Sequence, residues 1–397
     1  MKVELLAPAG NFSKLKTAFY FGADAAYIGG KDFSLRSFAD NFTRDEIIEA
    51  VKYAHALNKK VYLTVNVFAK NADMGLLEDY FAFLQSAGVD AAIISDSGVV
   101  YCAKKAAPRL NIHISTQANL TNKYAVKFWQ EQGATRAILA RELSLDEIAE
   151  IHSFVPEIEL EAFVHGAMCI SYSGRCLLSD YLASRPSNRG ECVQACRWNY
   201  QIRKKDSLSD SGWLDLEEDD RGTFILNSKD LNMSAHLKKL ESAGVCSFKI
   251  EGRMKSEYYL ATVINAYRRC MDNGFNAEVE RELKTAAHRD YTTAYAFGKN
   301  NGTVNYADSQ AKGDCDYIGN ILEGGNGFAT VEMRGRFKVG DRLEVLSPTE
   351  NFGKSFTVES AHRRDGEAVD DCKIVQENYK INCPYKLQAG DILRRRK

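Results

Sequence analysis

Short apolar runs alternate with amphipathic stretches along the first two thirds of the chain. Helical patterns lie between the apolar runs, and the pairs Thr43/Glu46 and Ser144/Glu147 have the spacing of capping boxes. Strands that alternate with helices are typical of parallel βαβ units. The strand-like runs are residues 3–6, 24–28, 60–67, 91–95, 111–115, 136–139 and 157–164.

The alternation is interrupted at residues 166–222 and then resumes with strand-like runs at 223–227 and 247–250. About eight such units predict an α/β fold, a (β/α)8 TIM-like barrel with a cysteine-rich insertion at 166–222. An open doubly wound sheet is the alternative. Polar residues cluster after the strands, as in barrel enzymes, but this favours the barrel only weakly because loops are polar in any fold.

The pattern changes after about Asp308, where glycine becomes frequent and apolar residues alternate with polar ones. Residues 328–333, 342–346 and 356–358 predict short strands, and 324–327 predict a hairpin turn. We therefore expect a barrel domain over 1–305 and a small C-terminal antiparallel β-barrel over 306–397. The last four residues are basic, which predicts a solvated terminus or, alternatively, a phosphate contact.

Charge and hydropathy exclude some classes of protein. Lys plus Arg number 52 and Asp plus Glu 53, so the formal net charge is −1 and gives no global attraction to nucleic acid. The start of the chain lacks a signal-peptide pattern, and no apolar run approaches the roughly 20 residues of a membrane span. We expect a cytoplasmic protein with no membrane partner.

Ten cysteines in a reducing compartment are not expected to form structural disulfides. Four of them lie close together, with the spacings CxxxxxxC and CxxxC rather than the paired CxxC knuckles of many zinc sites. Spacing alone leaves open an iron–sulfur cluster, Zn²⁺ or no metal. The four are Cys169, Cys176, Cys192 and Cys196. We expect the others to be plain buried side chains: Cys102, Cys246, Cys270, Cys315, Cys372 and Cys383.

Several motifs resemble peptidase family U32, the collagenase-like peptidases, over nearly the whole chain. The most specific is ExFxxGxxCxxYSGRCxxS at 161–179. The pattern is most similar to the members that hydroxylate tRNA. The other motifs are LLAPAG at 5–10, GADAAY at 22–27, NSKDL at 227–231, FKIEGRMKS at 248–256 and HRDYT at 288–292.

This resemblance implies a barrel with a 4Fe–4S cluster that converts the tRNA wobble uridine to 5-hydroxyuridine, depending on prephenate and independent of oxygen. Expected partners are tRNA, prephenate and an electron donor or iron–sulfur assembly protein. Related members hydroxylate a ribosomal RNA cytidine or a ubiquinone ring, and some are recorded as collagen-degrading. Ribosomal RNA hydroxylation and peptidase activity are therefore the alternatives.

One departure from the family affects the ligand set. Many relatives carry a cysteine where this chain has Asn232, so the resemblance leaves Cys196 as the fourth ligand. If Cys196 is not a ligand, the cluster has three thiolates and an open iron. An open iron would allow chemistry directly on a substrate.

Polar residues near the predicted mouth of the barrel supply further candidates. We expect Glu161, His165 and Glu251 in catalytic or orienting roles, although Glu161 and His165 could equally be core residues of the seventh strand. Basic and aromatic side chains could bind phosphate, unpaired bases or a dicarboxylate. The substrate-binding candidates are Lys249, Arg253, Lys255, Arg197, Trp198 and Arg175, and the same loop adds Tyr200, Arg203, Lys204 and Lys205.

The sequence gives little support for peptidase activity. It lacks the HExxH of zinc proteases and the GxSxG elbow of serine hydrolases. A cysteine protease would pair one thiolate with a histidine such as His165, but four clustered cysteines fit ligation better than attack. A non-catalytic scaffold that delivers a cluster is a third hypothesis, which turnover by the purified protein would test.

Overall fold

The computed structural model describes residues 2–34, 40–169, 171–172, 175–185, 187–198, 228–298 and 311–397. Four predictions fall outside these described residues. They are the strand at 223–227, the boundary between 305 and 306, most of the insertion beyond 198, and the candidates Tyr200, Arg203, Lys204 and Lys205.

The part of the chain before residue 299 alternates strands and helices in the predicted order. Its strands are β1 (Glu4–Pro8), β2 (Ala25–Gly29), β3 (Lys60–Val65), β4 (Ala91–Ile94), β5 (Asn111–Ile114), β6 (Arg136–Ile138), β7 (Glu159–Ala167), β8 (Asp230–Asn232), β9 (Val245–Ile250) and β10 (Tyr291–Thr292). Its helices are α1 (Phe12–Tyr20), α2 (Arg44–Ala56), α3 (Met74–Ser86), α4 (Ser97–Ala106), α5 (Lys123–Glu131), α6 (Leu145–Phe154), α7 (Leu178–Ala183), α8 (Leu237–Ser242), α9 (Glu257–Asn273) and α10 (Ala277–Leu283).

Eight parallel strands close into a ring. Strands β1 to β7 pair in chain order, β9 then pairs with β7, and β9 also pairs with β1. This closure confirms the TIM-like barrel and excludes the open doubly wound sheet. The eighth place in the ring belongs to β9, so the strand expected at 223–227 is not needed for closure.

Local sequence explains where the elements begin and what fills the ring. Thr43 and Ser144 form the predicted capping boxes at the starts of α2 and α6, each accepting from the backbone amide three residues later. Large and small side chains are mixed in the barrel interior, and Tyr62 pairs in register with Ala91. This core cluster consists of Leu6, Ala25, Tyr27, Tyr62, Ala91, Ile93 and Ile138.

Strand β7 has nine residues and reaches beyond its neighbours in the ring. Its last three residues pair with the antiparallel strand β8, in the register His165↔Asn232 and Ala167↔Asp230. Strand β10 in turn runs parallel to β8. The segment that leads from the barrel to Cys169 is thus held by an added pair of short strands.

The chain divides into two compact units. The first is Met1–Phe12, Asp24–Met254 and His288–Ala311, and it holds the barrel strands. The second is Ser13–Ala23, Lys255–Ala287 and Lys312–Lys397, so it combines α1, α9 and α10 with the C-terminal strands. The boundaries 1–305 and 306–397 stay a prediction from sequence.

The C-terminal part is antiparallel, as predicted. Seven strands form one sheet in the order β15-β14-β19-β11-β12-β18-β16, and β13 pairs with β17. Its core contains Met333, Phe337, Val345, Tyr379 and Leu393. The strands are β11 (Cys315–Gly324), β12 (Gly327–Met333), β13 (Phe337–Lys338), β14 (Arg342–Leu346), β15 (Ser355–Thr357), β16 (Ala361–Arg363), β17 (Asp371–Cys372), β18 (Asn378–Cys383) and β19 (Ile392–Arg396).

The basic C-terminal tail is solvated only at its end, where Arg396 and Lys397 are exposed, and the prediction was wrong for Arg394. It continues strand β19, and Arg394 is fully buried. The Arg394 guanidinium donates to Glu282 Oε1 at 2.6 Å, and it also pairs with Glu344. Arg396 donates to Glu344 Oε2 at 2.7 Å. A run of cations can lie in a strand here because buried carboxylates of the same unit face it.

Candidate iron–sulfur site at the mouth of the barrel

Strand β7 delivers Cys169 to the carboxyl end of the barrel. Just before it, Gly166 has φ +112°, and a Cβ at this position would lie 2.5 Å from the carbonyl oxygen of Glu251. Only glycine fits so close a backbone approach. The glycine of the specific motif therefore lets the end of β7 pass beside the loop that follows β9.

The four predicted ligands lie on one segment beyond β7 and differ in exposure. Cys169 is exposed, and Cys176, Cys192 and Cys196 are half-buried. Burial raises the pKa of the Cys196 thiol, and electrostatic interaction with the other three cysteines raises it further, while Arg197 opposes this. All three thiols therefore lie within electrostatic range of Cys196. Sequence spacing could not establish this proximity.

The fit of a metal group to these residues rests on the donor set. All four cysteines are free of disulfides, and the backbone amide of Gln194 donates to Cys192 Sγ at 3.4 Å. Soft thiolates with amide donors nearby suit an iron–sulfur cluster. Among the described residues, no three His, Cys, Asp or Glu side chains already stand in a group that could hold a metal ion.

Residues 169–198, called here the cysteine segment, are tied to themselves and to the barrel. The buried Ser179 hydroxyl donates to the Arg185 carbonyl at 2.7 Å and accepts from the Val193 amide at 3.1 Å. Arg189 donates to Asp73 Oδ2 at 3.1 Å and to the Phe68 carbonyl at 2.8 Å. The segment is thus anchored on the loop that follows β3.

Two models of known families match the chain. The model described as peptidase family U32 matches residues 10–305, and that of the U32 C-terminal domain matches residues 313–394. The chain belongs to peptidase family U32.

Three relatives of this U32 protein carry different functional names. The tRNA hydroxylation protein P1 of Bacillus subtilis is 40% identical, covering 100% of this chain and 95% of its own. The 23S rRNA 5-hydroxycytidine C2501 synthase of Escherichia coli is 32% identical over 90% of this chain and 55% of its own. A collagenase of Porphyromonas gingivalis is 30% identical over 87% of both chains.

A network of buried charged side chains lies inside the barrel of this U32 protein. Sequence analysis did not predict it. Glu161 is fully buried and accepts from Lys249 Nζ at 2.7 Å and from Arg136 at 3.0 Å. Arg136 also donates to Glu4 at 2.6 Å, and Tyr62 donates to the same carboxylate. Burial would raise the pKa of Glu161, but Lys249 and Arg136 outweigh it and hold that pKa below its usual value.

Two candidates from the sequence, Glu161 and Lys249, are thus partners of each other inside the barrel. Lys249 Nζ also lies 4.5 Å from the centre of the Tyr27 ring. The Tyr27 hydroxyl donates to the Ile250 carbonyl at 2.9 Å and to Glu251 Oε2 at 3.2 Å. Tyr27 therefore connects the buried network to Glu251, which lies at the mouth.

The remaining basic candidates differ in burial. Arg253 is buried and donates to Ser34 Oγ at 2.8 Å and to Thr64 Oγ1 at 3.0 Å. Lys255 falls in the second unit, where its ammonium lies 5.1 Å from the Tyr259 ring centre. On the cysteine segment, Arg175 is exposed, Arg197 is half-buried and Trp198 is exposed.

His165 lies among aromatic side chains that sequence analysis did not assign to the site. It is buried, and its ring centre is 5.4 Å from that of Tyr291, which stacks on His288 at 4.2 Å. Beside them Arg289 donates to the buried Asp230 at 2.6 Å. The sequence did point to these residues, because the motifs HRDYT at 288–292 and NSKDL at 227–231 resemble motifs of the family.

Asn232, where the sequence departs from the family resemblance, lies on β8. Its Oδ1 accepts from the amide of Ser234 at 3.0 Å and from the Ser234 hydroxyl at 2.8 Å. The side chain thus stabilises a turn after β8. Asn232 faces His165 across the strand pair, close to the end of β7.

The other six cysteines contrast with the four of the segment. Five of them are buried, and Cys246 is half-buried with its thiol donating to the Leu160 carbonyl at 3.4 Å. Burial raises the pKa of Cys270 to about 11 and that of Cys372 to about 12. Thiols in such apolar surroundings are chemically inert.

Within the described part of the chain, no helix has both the length and the apolar character needed to cross a bilayer.

Replacing Ser179 with alanine should loosen the cysteine segment without unfolding the barrel. The change removes two hydrogen bonds of a buried hydroxyl, which together contribute about 1–3 kcal/mol. We expect faster amide hydrogen exchange at Val193 and its neighbours. Ser153→Ala is the matched control, since that exposed hydroxyl bonds only within helix α6. An unchanged rate of amide exchange at Val193 would contradict the inference that the hydrogen bonds of Ser179 hold the segment together.

Proposed function

We propose that this protein hydroxylates the wobble uridine of tRNA to 5-hydroxyuridine, using a 4Fe–4S cluster and prephenate and requiring no oxygen. The observation that supports this most is the presence of four free thiols on one segment beyond β7. It occurs in a chain that is 40% identical along its full length to a tRNA hydroxylation protein. Prephenate and the oxygen-independent route come from the family resemblance.

In this proposal, different residues of the chain would hold the cluster and bind the co-substrate. Cys169, Cys176, Cys192 and Cys196 would hold the cluster, with Cys196 as fourth ligand because Asn232 has no thiol. When bound, a cluster of this kind supplies electron transfer for the oxidation of a carbon–hydrogen bond to a carbon–hydroxyl bond. Arg253 follows β9 and donates to Ser34 and Thr64, and its guanidinium is the kind of group that would bind an anionic co-substrate.

Glu161 acts in this proposal as a positioning residue. It is fully buried, so it reaches the mouth only through Lys249. Glu251 accepts a hydrogen bond from the Tyr27 hydroxyl and lies closer to the mouth. Proton transfer at the mouth, if the reaction needs it, would therefore fall to the half-buried Glu251, since Glu161 and His165 are both buried.

Nucleoside mass spectrometry of RNA from a strain lacking the gene tests this function. Wobble 5-hydroxyuridine and its derivatives should disappear and should return with the wild-type gene, in air and without oxygen alike. They should also fall in a strain that cannot make prephenate. An unchanged tRNA profile with a lost hydroxycytidine in ribosomal RNA would instead assign the ribosomal substrate. A collagenase-like peptidase would change neither profile.

A further inference from the structure

Large apolar side chains remain exposed on the cysteine segment. Tyr181 is 88% exposed and Leu177 is 69% exposed. They lie four residues apart, and the Tyr181 amide donates to the Leu177 carbonyl, so both belong to one face of helix α7. Trp198, 43% exposed, follows a 3₁₀ turn at Ala195–Arg197 that packs against α7. Exposed apolar groups that cluster in this way mark interaction surfaces.

The charge of this segment differs from that of the chain. Between residues 172 and 198 four arginines stand against two carboxylates, whereas the whole chain has a formal net charge of −1. The arginines are Arg175, Arg185, Arg197 and Arg189, of which Arg189 is paired with Asp73 outside this range. An anionic partner with flat apolar groups complements such a surface, because arginine attracts phosphate and aromatic rings stack on bases.

We propose that the exposed face formed by Leu177, Tyr181 and Trp198 is a stacking surface for unpaired bases of single-stranded RNA. The inference rests on the proposed function, because it names the part of an RNA substrate that contacts the chain. Leu177 directly follows Cys176, and Trp198 is two residues beyond Cys196. A base held on this face would therefore lie beside the thiols.

The anchoring of the segment suits this role. Ser179, inside α7, connects to Val193, and Arg189 attaches the segment to the loop after β3. A stacking platform gains affinity when its rings are held in place before the RNA arrives, since less conformational freedom is then lost on binding. The exposed face is carried on a short helix that Ser179 ties to the rest of the segment, and Arg189 ties the segment to the barrel.

Fluorescence anisotropy with the full-length protein and a labelled single-stranded oligouridine tests the inference. Each stacked base contributes about 1–3 kcal/mol, so Tyr181→Ala should weaken binding about ten-fold, and the double variant with Trp198→Ala should weaken it further. Tyr181→Phe keeps the ring and should bind as the wild type does. Tyr101→Ala removes a tyrosine that is 75% exposed on α4 and should leave the affinity unchanged.

Other outcomes would overturn the inference. Equal affinity of Tyr181→Ala, Tyr101→Ala and the wild type for the oligouridine would do so. Loss of hydroxyuridine in cells carrying Tyr181→Ala, with RNA affinity intact, would assign the face to a protein partner. Altered sedimentation of Tyr181→Ala with RNA affinity intact would assign it to a second copy of the chain. Failure of the proposed function is separable, because it would appear as an unchanged tRNA profile in the gene deletion, whereas oligouridine affinity is measured on the purified protein.

Discussion

Replacing Cys169 with serine should remove both the iron–sulfur absorbance of the anaerobically purified protein and the wobble hydroxyuridine of tRNA in cells. A serine hydroxyl does not ionise near neutral pH, so it cannot replace a thiolate ligand. Cys169 is the exposed member of the four and follows β7 directly. We expect iron content and hydroxyuridine both to fall to background, while the melting temperature changes little.

The matched control is Cys102→Ser, in helix α4. Cys102 is buried, and burial raises the pKa of its thiol, so its replacement should leave absorbance and hydroxyuridine intact. Full iron content in Cys169→Ser would remove this residue from the ligand set. A protein that keeps its iron but loses hydroxyuridine would give Cys169 a role in the reaction instead of in ligation.

Cys196→Ser separates the two ligand sets that the sequence left open. If Cys196 is the fourth ligand, the variant should lose iron to the same extent as Cys169→Ser. If it retains a cluster with an unchanged spectrum, the cluster has three protein thiolates and an open iron. The half-buried position of Cys196 among the other three cysteines favours the first result.

Replacing Glu161 with glutamine should have the largest effect on stability. The change keeps the size of the side chain but leaves Lys249 and Arg136 buried without their shared carboxylate. Removing one partner of a buried ion pair typically costs about 3–5 kcal/mol. We expect the free energy of unfolding, measured by urea denaturation, to fall by this amount at neutral pH.

Glu159→Gln is the matched control for this change. Glu159 lies on the same strand and pairs with the same Arg136 at 2.7 Å, but its side chain is 43% exposed. Exposed ion pairs contribute about 0–1 kcal/mol because water screens them. Equal losses of unfolding free energy in Glu161→Gln and Glu159→Gln would show that burial does not determine the strength of these ion pairs.

The stability difference between wild type and Glu161→Gln should depend on pH. Because the pKa of Glu161 is lowered in the folded chain, its ionised form contributes fully to stability above the unfolded pKa, near 4.5. That contribution is lost as pH falls through the folded pKa. The two proteins should therefore converge in stability under acid. A difference that stays constant down to strongly acidic pH would contradict this account.

The sequence by itself determined the class of fold, the antiparallel C-terminal region and the four cysteines as a group. These follow from local rules: alternation of strands and helices, the capping residues at Thr43 and Ser144, and the spacing of cysteines in a specific motif. Each depends on residues near one another in the chain, so a linear pattern carries the information. Membership of peptidase family U32 was evident from motifs for the same reason.

Only the tertiary structure decided which strand closes the ring and which charges meet. Glu161 contacts Lys249, which lies 88 positions later in the chain, and Glu4 contacts Arg136, which lies 132 positions later. No local pattern reveals pairs that are so far apart in sequence. The burial of Arg394 in the basic C-terminal tail was missed for this reason, since it depends on the distant Glu282 and Glu344. Proximity in a folded barrel arises from closure of the sheet, which brings side chains together irrespective of their distance in sequence.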